Sequence, residues 1–468
     1  MSAPFTAGGS TAQGGTGEPG LPVRAEAFEV ETWGCQMNVL DGQRMAGQLE
    51  AQGLRRADGG ELAGVVLLNT CMVREKAEAK VFSSLGVLAR RKREHPDLVV
   101  GVTGCVAQVS GQEILERAPW VDFVAGTGQV ERIGELVRQA RLERRRTLAL
   151  ELPEDDPVYQ FRRISRESAF SAYVTVIEGC DQFCTFCVVP FTRGRERSRR
   201  GSEILDEVRH LAGRGFTEIT LLGQTVNAYR DPEHGFGLGG LLRRAASVPG
   251  VRRLRFLTSH PRFLDDDLIA ALEEDESRTI APYLHLPAQS GSDPVLRRMS
   301  RRYTASEYRR IVDRVRSRVP RVSVSSDFIV GFPGETEEDF EATLRLVAEV
   351  EFGSLFGFRY SERPGTAAAR WGSESAVPEE VAGERLARLL ALQAEIQERL
   401  NGALVGREVE VLIEGTNRRG QATGRTPCNR ILHLEGGAAP PAGSYARARV
   451  TRGLANCLIG TVAAIRSA

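Results

Sequence analysis

Glu178-Gly179-Cys180-Asp181-Gln182-Phe183-Cys184-Thr185-Phe186-Cys187 sets three thiols in the spacing C-x3-C-x2-C. Three thiolates hold three irons of a cubane iron–sulfur cluster, whereas a closed cubane takes four cysteines. The next cysteine along the chain is Cys428, so one iron is left open to a substrate or cofactor. Structural zinc is the competing reading. It is usually four-coordinate and built from paired short spacings, which this run lacks.

Outward from this run, residues 165–400 alternate strands with helices. Strands are expected at 171–178, 217–222, 253–258, 283–286, 322–330 and 355–360, with helices near 202–213, 238–248, 265–274, 304–319, 336–350 and 381–400. The last of these keeps Leu386, Leu389, Leu390, Ile396 and Leu400 near one face, as an amphipathic helix does. Six such units predict a partial (β/α)6 barrel with the cysteine run at its carboxyl-terminal rim, where βα barrels place their chemistry.

Upstream, residues 26–145 also alternate, with strands expected at 27–32, 64–69, 98–103 and 121–125, which predicts a doubly wound parallel sheet. Cys35, Cys71 and Cys105 each follow one of the first three strands. Ligands gather in the crevice beyond the carboxyl ends of such strands, so these thiols are expected to converge and hold a second cluster, again with one open iron. Singly, each would read as a small buried hydrophobe.

The cysteine run, with aromatic residues between its thiols, resembles the signature of the radical S-adenosylmethionine (SAM) enzymes. In that family the open iron chelates the amino and carboxylate groups of SAM, and one-electron cleavage of the sulfonium releases a 5′-deoxyadenosyl radical. The resemblance makes Cys180, Cys184 and Cys187 the catalytic ligands. Loops after the later strands carry Gln224, Ser259, Gln289 and Ser290, whose side chains suit hydrogen bonds to the adenosine part of SAM. His260 and His285 read as satisfied loop or core histidines.

Gly34-Cys35-Gln36-Met37-Asn38, Asn69-Thr70-Cys71-Met72-Val73-Arg74-Glu75 and Gly104-Cys105-Val106-Ala107-Gln108 resemble the N-terminal domain of the methylthiotransferase family. Val188-Val189-Pro190 and Tyr360-Ser361-Glu362-Arg363-Pro364-Gly365-Thr366 extend that resemblance, while Thr225 and Phe328 depart from the family pattern. It implies two [4Fe-4S] clusters and two SAM molecules. The expected reaction replaces the C2 hydrogen of an isopentenylated adenosine, beside a tRNA anticodon, with a methylthio group. Threonylcarbamoyl-adenosine or a ribosomal-protein aspartate are the alternative substrates. Outside this class stand a non-catalytic iron–sulfur RNA-binding module and a zinc-stabilised RNA-binding protein.

Residues 402–467 change from helical periodicity to alternation, predicting about five short strands in a small oligonucleotide-binding-type barrel. From residue 402 onward there are nine Arg, no Lys and four Glu, a local charge of +5 in a chain whose formal net charge is +1. Concentrated positive charge on a small barrel suits phosphate contact. Glu414-Gly415-Thr416 and Gly424-Arg425-Thr426-Pro427-Cys428-Asn429-Arg430 resemble the TRAM domain, an RNA-binding appendage of tRNA-modifying enzymes. Arg425 and Arg430 are the expected RNA contacts there. Arg193 and Arg195, beside the cysteine run, are expected to hold the anticodon loop. Cys428 and Cys457 are read as buried small residues.

The 468 residues include 41% hydrophobic and 26% charged residues, an ordinary globular balance. Eight cysteines with no charged-then-apolar leader argue for reduced thiols in a cytoplasmic protein, and residues 1–25, rich in Gly, Ser, Thr and Pro, read as a disordered leader. No apolar run approaches the roughly 20 residues that span a bilayer. The expected partners are tRNA, an external electron donor and a sulfur donor, with the enzyme itself a monomer.

Overall fold

Continuous runs of Val, Leu and Ile become parallel strands when both faces of a sheet are covered, and the sequence supplies helices for both. The computed structural model describes residues 23–72, 77–153, 159–372, 375–437 and 439–466. Most of the expected leader lies outside these residues, as do Val73, Arg74 and Glu75 of the Cys71 motif. The chain divides into two units, one formed by Met1–Glu167, Glu178–Asp181 and Val188–Arg197, the other by Ser168–Ile177, Gln182–Cys187 and Ser198–Ala468.

The first unit carries β1 (Val23–Thr32), β2 (Arg55–Arg56), β3 (Leu62–Thr70), β4 (Val99–Gly104), β5 (Phe123–Ala125) and β6 (Thr147–Ala149). All pair in parallel, in the order β2-β1-β3-β4-β5-β6. Helices α1 (Gln36–Glu50) and α4 (Ile133–Glu143) supply Met45, Leu49, Ile133, Leu136 and Val137 to one face, against Phe28, Leu67 and Phe123. Helices α2 (Ala77–Glu94) and α3 (Cys105–Arg117) supply Val81, Leu85, Leu88, Val106 and Ile114 to the other, against Val66, Leu68, Val100 and Val102. The sheet is doubly wound, as expected. Strands β2 and β6 escape sequence reading because they are short, largely exposed edge strands that carry no continuous apolar run, unlike the equally short but fully buried β5. The strand order reverses between β1 and β3, which opens a crevice beyond their carboxyl ends.

In the second unit, β7 (Ser171–Thr175), β8 (Glu218–Leu222), β9 (Arg253–Phe256), β10 (Tyr283–His285), β11 (Ser323–Val330) and β12 (Ser354–Arg359) form the parallel ladders β9-β8-β7 and β10-β11-β12. A parallel bridge from Leu254 to Ile280 links them. Among the described residues no ladder joins β7 to β12, so the barrel is open on one side. Outward residues such as Ile219, Leu221, Leu254, Phe256, Val324 and Val330 pack under the surrounding helices with Ile204, Leu241, Leu268, Tyr308 and Phe340. The alternate positions of β8 and β9 carry Glu218, Arg253 and Arg255, all buried.

Five strands, β13 (Glu408–Thr416), β14 (Ala422–Arg425), β15 (Ile431–Leu434), β16 (Tyr445–Gly453) and β17 (Leu458–Arg466), close a barrel in the order β13-β14-β15-β17-β16. Val411, Ile413, Leu432, Leu434, Ala448, Val450 and Leu458 fill it. The barrel is fixed to β8 and β9 by charge. Arg253 donates to Glu410 Oε1 at 2.8 Å and to the Arg425 carbonyl at 2.9 Å, and Arg255 donates to the carbonyls of Thr426 at 2.8 Å and Pro427 at 2.9 Å. Glu218 lies between the two guanidiniums, 3.0 Å from Arg255 and 3.5 Å from Arg253.

Burial alone would raise the Glu218 carboxyl, but Arg255 and Arg253 outweigh it and hold the group below the usual carboxylate range. Its stabilisation is complete above the unfolded carboxylate value and is lost as pH falls through the lower folded value. Glu218→Gln strips two buried guanidiniums of their shared partner. The expected cost is about 3 kcal/mol at neutral pH, read as an earlier denaturant midpoint, with the gap to the parent closing in acid.

Candidate active site

In the first unit Cys35 is the N-cap of α1 after β1, Cys71 follows β3, and Cys105 opens α3 after β4. Two of the three thus sit at helix amino termini, whose partial positive charge favours a thiolate. Cys71 and Cys105 are buried, and Cys35 is half-buried. Its hydrogen bond with Cys71 brings the Cys35 thiol down to about 6 against the opposing effect of burial. Burial pushes the Cys105 thiol up, in part offset by Arg193.

The loops that carry these thiols are laced together. Asn38 accepts from Cys35 Sγ at 3.2 Å and donates to the Thr70 carbonyl at 3.0 Å, while Asn69 donates to the Asn38 carbonyl at 2.7 Å. Gly34 and Gly104, each preceding a cysteine, have φ of +147° and +90°. A Cβ at Gly34 would stand 2.4 Å from Cys71 Cβ, so this glycine is what lets the two thiol loops approach. Three soft thiols at a switch-point crevice, one of them readily ionised, fit an iron–sulfur cluster. Gly34→Ala is expected to lower reconstituted iron from about eight to about four atoms per chain, with SAM cleavage retained. Iron analysis and 5′-deoxyadenosine assay check it.

Arg193 corrects a sequence expectation. Instead of facing RNA it is 6% exposed, with Nη2 2.7 Å from Asp41 Oδ2 on α1, and it hydrogen-bonds Cys105. Asp41 also meets Arg44 at 3.2 Å, and Arg44 continues to Glu131 at 2.7 Å and Glu178 at 3.5 Å. Arg197 joins Glu178 at 3.4 Å. Cys180, buried in the same unit, takes its backbone hydrogen bond from N–H to the Gly194 carbonyl at 3.2 Å.

In the second unit the Cys187 N–H donates to the Cys184 carbonyl at 2.9 Å, a tight turn that keeps both thiols local. Thr185 anchors that turn by donating to the Met299 carbonyl at 3.2 Å and accepting from Ala368 at 2.9 Å. Phe186 stands edge-on to Phe332 with centroids 6.4 Å apart. A buried guanidinium that sequence reading missed, Arg301, lies 3.5 Å from Cys184 Sγ and donates to Tyr303 Oη and the Pro287 carbonyl, both at 2.8 Å. It belongs to the run Arg297-Arg298-Met299-Ser300-Arg301-Arg302, where nothing in sequence marks it out.

The expected SAM contacts fall on the strand-end loops. Ser259 is 3% exposed, its N–H donates to the His285 carbonyl at 3.0 Å, and its Oγ has no hydrogen-bond partner among the described residues. An orphaned buried hydroxyl at this rim is open to a ligand. Gln289 adopts φ +72°, with its N–H on the Asp327 carbonyl at 2.9 Å. Ser290 is engaged by Thr343, on the helix Glu337–Val350, at 3.3 Å and by the Ser292 N–H of its own loop at 3.1 Å. Gln224 is half-buried just beyond β8.

Both histidines are satisfied. His260 accepts from the Arg262 N–H at 3.2 Å, and burial together with Arg301 and Arg262 pushes its pKa far down, leaving it neutral. His285 contacts Ser325 Oγ at 2.8 Å and Asp327 Oδ2 at 3.4 Å, while Asp327 Oδ1 lacks a partner among the described residues.

Of the other expected RNA contacts, Arg195 is 76% exposed and pairs with Asp181 at 2.8 Å. Arg425 is mostly buried, 3.2 Å from Glu414, and Arg430 is held by Asn401 at 2.8 Å and Cys428 Sγ at 3.0 Å. Cys428 and Cys457 are half-exposed, not buried as expected. Exposed guanidiniums of the closed barrel include Arg418 and Arg419 between β13 and β14, and Arg447, Arg449 and Arg452 on β16. Among the described residues no helix is long and apolar enough to cross a membrane.

Three family models match the chain: an "Uncharacterized protein family UPF0004" over residues 27–126, the radical SAM superfamily over 174–347 and the TRAM domain over 402–463. The radical S-adenosylmethionine methyltransferase TsrM from Kitasatospora setae, solved with tryptophan and a SAM analogue, shares the fold at TM-score 0.53 and 15% identity, covering 73% of this chain and 74% of that one. A tRNA-2-methylthio-N(6)-dimethylallyladenosine synthase from Cereibacter sphaeroides is 47% identical over 93% of this chain and 98% of its own length. That from Acidithiobacillus ferrooxidans is 46% identical over 93% and 97%. The ligand spacing, the barrel and these relatives agree, and the chain belongs to the tRNA-2-methylthio-N(6)-dimethylallyladenosine synthase family of radical SAM methylthiotransferases.

Proposed function

We propose that this enzyme converts N(6)-dimethylallyladenosine at position 37 of tRNA to its 2-methylthio derivative, with two [4Fe-4S] clusters and two SAM molecules. The observation that carries the reading is the presence of two separate thiol triads, Cys35, Cys71 and Cys105 at a sheet switch point, and Cys180, Cys184 and Cys187 in one loop. Bound on these triads, the clusters and SAM would supply a carbon-centred radical at one site and the sulfur to be inserted at the other. A radical is needed because the C2–H bond of adenine is unactivated toward polar chemistry.

The chain's own residues hold and orient. Ser259, Gln289 and Gln224 offer hydrogen bonds to the adenosine of SAM, and Ser290 fixes the loop that presents Gln289. Arg301 neutralises thiolate charge at Cys184. His260, kept uncharged, adds no cation to the rim. Arg195, Arg425 and Arg430, joined by Arg447, Arg449 and Arg452, meet tRNA phosphates, whose contacts weaken binding as salt rises. Electrons and sulfur come from external donors, and the enzyme works as a cytoplasmic monomer.

Mass spectrometry of tRNA nucleosides tests the substrate. Cells lacking the protein are expected to lose the 2-methylthio nucleoside and accumulate N(6)-dimethylallyladenosine, with both reversed on complementation. Loss of methylthiolation from threonylcarbamoyl-adenosine or from a ribosomal-protein aspartate would replace this substrate assignment.

A further inference from the structure

Arg193 lies six residues beyond Cys187, yet within the first unit its guanidinium is buried against the thiols of the other triad. Its position is built. The segment is anchored by Val188, which packs with Met72, Val106 and Cys105, and helix α5 (Val189–Arg193) ends at Gly194 with φ +76°. Asp41 grips Nη2 at 2.7 Å and is itself held on its other oxygen by Arg44. The guanidinium is thereby held within hydrogen-bonding reach of Cys105. A surface role in RNA binding is incompatible with this burial. A packing role alone would not need a charge, and burying one is costly unless it is paired.

We propose that Arg193 is a positioning residue for the cluster held by Cys35, Cys71 and Cys105, donating to Cys105 and raising the reduction potential by compensating negative charge there. The proposal rests on the reading that this triad binds a cluster. A fixed cation in a buried, low-dielectric site stabilises whichever state carries more negative charge, here the reduced one. Hydrogen bonds to cluster sulfurs and local charge are established levers on such potentials.

The test uses the full-length Cys180→Ala/Cys184→Ala/Cys187→Ala protein, reconstituted anaerobically, in which the remaining iron belongs to the other triad. About four irons per chain are expected, and redox titration followed by electron paramagnetic resonance reads the midpoint. Adding Asp41→Asn with Arg193→Gln removes both charges together, so that no buried carboxylate is left alone. The midpoint is expected to fall by a tenfold change in the reduction equilibrium, about 59 mV for one electron. Arg193→Lys, which keeps the charge without the fork, should stay within that tenfold of the parent. An unchanged midpoint in the neutral double variant, with iron retained, overturns the proposal. If the double variant loses iron, retention by Arg193→Lys supports a cationic requirement, and loss from both refutes it. A parent without iron overturns the two-cluster reading instead.

Discussion

Cys187→Ala is expected to end SAM cleavage and product formation together. Two thiolates cannot hold the cubane that leaves a single iron open, so the sulfonium loses its electron source. Both 5′-deoxyadenosine and methylthio nucleoside should fall by about 10⁶-fold or more, the lower reach of enzymatic acceleration. Total iron should drop from about eight to about four atoms per chain, because the other triad lies in a separate set of loops. The backbone should survive, since the turn is secured by the Cys187 N–H and by Thr185, neither of which uses the Cys187 thiol. Persistent cleavage of SAM in this variant, at any rate near the parent's, would mean that the open iron is not where these three cysteines put it.

Cys71→Ala is expected to separate the two activities. The side chain is 2% exposed and hydrogen-bonds Cys35, so its loss removes one ligand and releases the thiol it had acidified. SAM should still be cleaved, now abortively, while methylthio product falls below detection. Iron again falls to about four per chain. In the metal-free protein, Cys35 should lose its pKa of about 6 and alkylate more slowly near neutral pH. Methylthio product from this variant would show that sulfur reaches the substrate by another route.

Much of this arrangement was legible in the chain because it depends on short-range pattern. The C-x3-C-x2-C run is contained in eight consecutive residues, Cys180 to Cys187, and Cys35, Cys71 and Cys105 are marked by the apolar strands just before them. The six strand–helix units of the barrel appear at the expected places, with strands trimmed at Thr175, Phe256 and His285, where loops begin. Period-2 and period-3.6 patterns survive in sequence because each is written by one element's own buried face.

What the sequence did not reveal concerns charge. Arg193 and Arg195 are two residues apart and read alike, yet one is buried on Asp41, 152 residues away, and the other is exposed. Arg425 and Arg430 also have partners within the closed barrel, Glu414 and Asn401, while Arg253 and Arg255, which sequence reading did not single out, carry its docking. A guanidinium on a solvated face and one in a buried ion pair obey the same local sequence rules, since both keep their charge. Only the partner differs, and the partner is brought there by the fold. The two groups of three cysteines, their spacing and the layered α/β plan were therefore determined by sequence alone. Which cations serve the thiols, which join the domains and which stay in water was decided by tertiary structure, because long-range pairing sets where a charge can be desolvated.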